Sequence, residues 1–218
     1  MKLVKKSIPG IHEPILTQRQ YSALTGFDHV TTNNLIARNI LPVDEVVPGR
    51  GRGVRLFTRL RAWEGRIVNE SVTHHKMPLA DAAEIAKVAS RLTATGGWLR
   101  HWARALSEGR PVDAKFMVVT WGADNCYDAQ LIDGNKAGEP DFSSSEAARF
   151  LTHPFMVVPL STLFEDVWKN SMTMLFFQTS SKRAERGTTM NGCIKNRAAS
   201  EDEKSGSPAL LPSMSCAS

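Results

Sequence analysis

Between residues 15 and 111, glycine and proline recur too closely for a long helix: Gly26, Pro42, the run Pro48-Gly49-Arg50-Gly51-Arg52-Gly53, Pro78, Gly96-Gly97, Gly109 and Pro111. Proline lacks the N–H that a helix interior needs, and glycine opens the left-handed conformations that end helices and make turns. This stretch therefore reads as short helices joined by tight turns, with one hairpin. Tyr21 and Leu24 stand at helical spacing after Thr17, a suitable N-cap, and Gly26 is placed to end that helix. A second helix is expected over residues 31–39, capped by Thr31 or Thr32, with Leu35, Ile36 and Ile40 inward and Pro42 as its stop. Thr58 caps a third helix through about Val72, where Leu60, Trp63, Ile67 and Val68 form a stripe. Residues 73–77 read as a break, and Pro78 suits the first turn of a longer helix through Leu92. A further amphipathic segment runs from Trp98 to Leu106.

The hairpin lies between the second and third helices. Val46-Val47 and Val54-Arg55-Leu56-Phe57 flank the Gly-rich turn, and their alternation sends Val54 and Leu56 to one side and Arg55 to the other. Arg50, Arg52, Arg55, Arg59, Arg61 and Arg66 all fall in this short region. The net charge of +5 is modest, but residues 1–110 carry 17 basic and 9 acidic side chains while residues 111–177 carry 4 and 9. Only the first half suits a polyanion.

After Pro111 the pattern changes. Residues 116–121, 127–132 and 155–160 read as strands, and Ser161 as the cap of a helix through Leu163, Phe164, Val167 and Trp168. Residues 178–218 hold scarcely a periodic apolar residue before Leu210-Leu211, too little to offset the entropy of ordering, and read as disordered. The expected organisation is an arm (1–14), a winged helix-turn-helix with following helices (15–110), a small α/β module (111–177) and a disordered tail (178–218), α+β in class. Cys126, Cys193 and Cys216 are odd in number and widely spaced, which argues against a disulfide framework. No apolar run approaches the roughly 20 residues of a spanning helix, and Lys2, Lys5 and Lys6 have no apolar run behind them. A soluble cytoplasmic protein without membrane attachment is expected.

A helix-turn-helix followed by a positive hairpin is how small winged domains hold duplex DNA. Thr31, Thr32, Asn33, Asn34 and Arg38 would face the major groove: Asn matches adenine, Arg matches guanine, and Thr reaches phosphate or a thymine methyl. Arg50, Arg52 and Arg55 of the wing would lie along phosphates or enter a minor groove, with Arg59 and Arg61 on the flanking backbone. Arginines on a helix are also commonly a solvated face, and pairing of Arg59 and Arg66 with Glu64 or Glu70 is the plainer alternative.

Over about residues 15–90 the chain resembles the DNA-binding domain of MerR-type transcriptional regulators. Ile40-Leu41-Pro42 stands where that family ends its recognition helix, Arg55-Leu56-Phe57-Thr58 where its wing closes, and residues 77–85, Met-Pro-Leu-Ala-Asp-Ala-Ala-Glu-Ile, where its next helix begins. The family's aromatic and acidic recognition stretch is replaced by Asn33-Asn34-Leu35-Ile36-Ala37-Arg38, and the paired cysteines of its metal sensors are lacking, so metal sensing is not carried over. The resemblance implies a homodimer on a pseudo-palindromic duplex.

Other chemistries find little support. Gly49–Gly53 lacks the Gly-Lys-Ser/Thr ending of a phosphate loop, adjacent His74-His75 have no supporting ligand at metal spacing, and the acidic residues Asp124, Asp128, Asp133, Glu139 and Asp141 do not match a calcium loop. The expectation is a non-catalytic, sequence-specific transcriptional regulator without cofactor or metal. The alternatives are an excisionase-like architectural DNA-binding protein and a protein-interaction adaptor with a basic surface.

Overall fold

The computed structural model describes residues 10–48, 53–121, 127–144, 148–152 and 154–176. Among them, helices alternate with two three-stranded antiparallel sheets in a mixed α+β fold, the class read from the sequence. The tail from residue 178, most of the arm, Cys126 and His153 lie outside the described residues.

Strand β1 (Leu16–Thr17) leads into α1 (Gln18–Thr25). Thr17 caps this helix through a reciprocal box: its hydroxyl accepts the Gln20 N–H at 3.4 Å, and the Gln20 carboxamide accepts the Thr17 N–H at 2.8 Å. Gly26, at φ 81°, turns the chain into α2 (His29–Ala37). This second helix starts earlier than expected, because Asp28 is its cap and accepts the Thr31 N–H at 2.7 Å. Its end is a Schellman turn: Asn39 takes φ 56°, its N–H reaches the Ile36 carbonyl, and the Ile40 N–H reaches that of Leu35, each at 2.9 Å.

Strands β2 (Glu45–Val47) and β3 (Val54–Phe57) pair in the expected hairpin, with Val47 opposite Val54. β1 joins the other edge of β3 to give the order β1-β3-β2. Thr58 then caps α3 (Arg59–His75), which takes in the first three of the residues read as a break and ends at Lys76, φ 56°. Pro78 stands at the cap of α4 (Leu79–Thr95), just outside the first turn predicted for it, and α5 (Trp98–Ser107) follows.

The second sheet is wholly antiparallel, in the order β5-β4-β6, with β4 (Lys115–Trp121) between β5 (Tyr127–Asp133) and β6 (Phe155–Val158). A 3-10 turn at Arg149–Thr152 precedes β6, and α6 (residues 160–176) follows it. Ser161 does not cap that helix; its hydroxyl accepts the Lys115 N–H at 3.0 Å.

One apolar cluster runs through both segments read from the sequence. Tyr21, Leu35, Phe57, Trp63, Ile67, Ile85 and Trp102 join Met117, Val119, Met156, Val158, Leu160 and Phe164. Trp63 is its hub: the indole ring meets Trp102 and Phe164 edge-on at 6.5 and 6.1 Å, and its N–H donates to the Leu160 carbonyl at 3.1 Å. Phe116, Val118, Ile132 and Phe150 form a smaller cluster on the other face of the second sheet. Part of the arm is also packed, with Ile11 buried and its carbonyl accepting the Leu60 N–H at 3.1 Å.

Candidate nucleic-acid interface

Helix α1 is seated on α3 by close packing. Tyr21 stacks on Phe57 at 4.3 Å, and burial raises the pKa of its phenol. α2 is held against α1 by polar contacts. The Thr32 hydroxyl, fully buried, donates to the Asp28 carbonyl at 2.8 Å and is bonded to the Ser22 hydroxyl at 2.8 Å. Thr32 therefore locks the two helices together and is withdrawn from the groove-facing role expected of it. Leu35 on the same helix and Leu41, just beyond its closing turn, are buried in the apolar core.

The outer side of α2 carries Val30, Asn34, Ala37 and Arg38, all exposed. Thr31 is half-buried beside them, its hydroxyl donating to Asp28 Oδ2 at 2.9 Å. Two hydrogen bonds from Thr31, first its backbone N–H and then its hydroxyl, hold the Asp28 carboxyl below the usual Asp range. Asn33 sits at the seam between helix and wing. Its Oδ1 accepts from Gln18 Nε2 at 2.8 Å and from Arg55 Nη1 at 3.1 Å, so α1, α2 and β3 are braced at one atom.

The wing reaches this seam from β3. Arg55 lies opposite Val46, which is exposed, while Phe57 on the same side of β3 turns into the core. At the wing's tip, Gly53 has φ 79°, and a Cβ there would lie 2.9 Å from the Val47 carbonyl oxygen. Only glycine fits that turn. Arg50 and Arg52 lie outside the described residues.

The two arginines expected on the flanking backbone have other partners. Arg59 is only 1% exposed. Its guanidinium lies 4.6 Å from the centre of the Trp168 ring and donates to Ser171 Oγ at 2.7 Å, to the Gly10 carbonyl at 3.3 Å and to the Met172 sulfur at 3.1 Å. Burial lowers its pKa from the usual arginine value. Arg59 is thus a buried tie between the start of α3 and α6, and leaves the set of surface contacts. Arg61 pairs with Asp44 at 3.1 Å and Glu64 at 2.7 Å, which joins the base of the wing to α3. The Thr58 N–H also donates to Asp44, at 2.7 Å.

Of the residues named from the sequence, Asn33 and Arg55 are joined by a hydrogen bond, Asn34 and Arg38 are exposed, and Thr31 is half-buried against Asp28. Sequence reasoning missed Asp28, Gln18 and Val30. Asp28 competes with Thr31 and Thr32 for the role of cap, and the Gln18 contact depends on how the two helices cross. Among the described residues no group of three or more His, Cys, Asp or Glu side chains could hold a metal ion, and no helix is long and apolar enough to cross a membrane. No protein-family model matches the chain, and no curated protein matches it.

Proposed function

We propose that the protein is a sequence-specific DNA-binding transcriptional regulator of MerR-like form, cytoplasmic and non-catalytic, acting as a homodimer. In this reading α2 enters the major groove, and the wing lies along the neighbouring backbone. The observation that carries it is the braced seam at Asn33. A groove-sized helix with Asn34 and Arg38 outward is fixed to a hairpin that bears Arg55 and the Gly-Arg turn. Amide and guanidinium groups are those that make paired hydrogen bonds to adenine and guanine edges, and a cationic hairpin supplies the phosphate contacts that set register. One such module reaches few base pairs, so two copies on inverted half-sites would supply the discrimination a genome demands.

The test is binding of the full-length chain to a random duplex pool, with retained fragments sequenced after selection at two salt concentrations. Enrichment of one inverted repeat, with affinity that falls as salt rises, is the expected result. Retention without enrichment replaces regulation with an architectural role, and the absence of retention at low salt overturns DNA binding altogether.

A further inference from the structure

The outer face of α2 is not polar throughout. Val30, in the first turn, is 68% exposed, more than any other large apolar side chain among the described residues. Asn34 and Ala37 follow at i+4 and i+7, also exposed, so a branched hydrocarbon, an amide and a methyl share one stripe. The neighbouring polar groups are engaged within the fold: Thr31 with Asp28, Thr32 with Ser22 and Asp28, and the Asn33 carbonyl oxygen with Gln18 and Arg55.

On the reading of α2 as the recognition helix, we propose that Val30 and Asn34 form a thymine-methyl and adenine reader. Val30 covers the C5 methyl of a thymine while the Asn34 carboxamide bridges N6 and N7 of an adenine. The first turn of a recognition helix is the part that reaches base edges. The thymine methyl is the apolar group of the unmodified major-groove edge, so it is the complement for a hydrocarbon presented there. Residues i and i+4 of a helix stand about 5–6 Å apart at Cβ. Successive base pairs rise by about 3.4 Å. The methyl and the adenine therefore belong to the same base pair or to neighbouring ones. Asp28 would not compete for that edge, because both of its carboxylate oxygens bond to Thr31.

The experiment uses the full-length protein and the duplex recovered by selection, with each thymine replaced in turn by deoxyuridine, which removes the methyl and leaves pairing intact. One replacement per half-site is expected to weaken wild-type binding about four-fold, the worth of one buried methyl-sized group. Val30→Ala should bind the thymine and uracil duplexes equally, and Asn34→Ala should lose preference for adenine at that base pair or the next. Introducing 5-methylcytosine opposite guanine at the sensitive position should restore more affinity to wild type than to Val30→Ala. Both substitutions are on the surface, and matching thermal melts confirm folding. A selected site bound equally with thymine or uracil at every position overturns this inference and leaves the DNA reading standing, as does undiminished discrimination by Val30→Ala. Failure to retain any duplex overturns both.

Discussion

Gly65 shows how closely α1 and α3 approach. A Cβ at this position would lie 2.4 Å from Tyr21 Oη and 2.7 Å from Thr25 Cγ2, and both side chains are buried. In an exposed helix, Gly→Ala gains about 1 kcal/mol of helix propensity. Overpacking a full core costs about 1–3 kcal/mol, and neither neighbour at this crossing can swing away. Gly65→Ala should therefore destabilise the protein by about 1 kcal/mol, read from the denaturation midpoint; a stabilised variant would show that the helices can separate at no cost. Asp28 offers a test by pH. Its pKa is lowered from 3.8, so the stabilisation from its ionised form is present above that value and is lost as pH falls through the folded pKa. Asp28→Asn keeps the cap without the titration. As pH falls below about 4, wild type should lose melting temperature faster than Asp28→Asn. Glu108 and Asp141 are lowered as well, so the difference between the two proteins carries the test, and parallel curves would reject it. Thr17 and Thr58 were legible as caps because each directly precedes a helical stripe. Asp28 was not, since Asp28, Thr31 and Thr32 all have capping chemistry and only the path of the turn selects among them.

At the scale of elements, arginines that look alike in sequence do different work. Arg55 braces the wing on Asn33, whereas Arg59 is buried against Trp168 and Ser171 of α6. On the proposed function, Arg55→Ala should weaken binding on all duplexes alike and lower the salt slope by about 1. Arg59→Met should cost about 1–3 kcal/mol of stability, from hydrogen bonds to a charged donor, and leave the slope unchanged. A salt slope altered by Arg59→Met in a folded protein would return that residue to the interface, and an unaltered slope in Arg55→Ala would remove the wing base from it. Sequence alone could not separate them, because the α6 partners of Arg59, Ser171 and Met172, lie more than a hundred residues away. The two-residue β1 was hidden for a related reason: it is a strand by virtue of pairing with Leu56 and Phe57, not by any pattern of its own. The hairpin and the helix periods were legible because they are local.

Across the whole molecule, the helical half and the second sheet share one core. Periodicity in the sequence marks which faces are apolar, but it does not say which faces meet, and the boundary expected after residue 110 rests on a change from helical to strand pattern and on charge. Trp63 of α3 and Trp102 of α5, both with no exposed surface, are covered by α6, where Phe164 meets their rings and Leu160 accepts the Trp63 indole N–H. Leu160, Leu163, Phe164, Val167 and Trp168 are buried on that helix. Fully burying a large apolar side chain contributes about 1.5–3 kcal/mol. Together these five rival the roughly 5–15 kcal/mol that holds a typical domain folded. A fragment ending at residue 110 would lose α6 and the sheet and expose both tryptophans. It should melt without a cooperative transition, bind a hydrophobic dye and show red-shifted tryptophan emission, while the full chain melts cooperatively. A cooperative melt and buried tryptophan emission from residues 1–110 would show that the helical half folds alone. DNA selection therefore uses the full-length protein, since failure of the fragment to bind would report the loss of its core instead of the chemistry of α2.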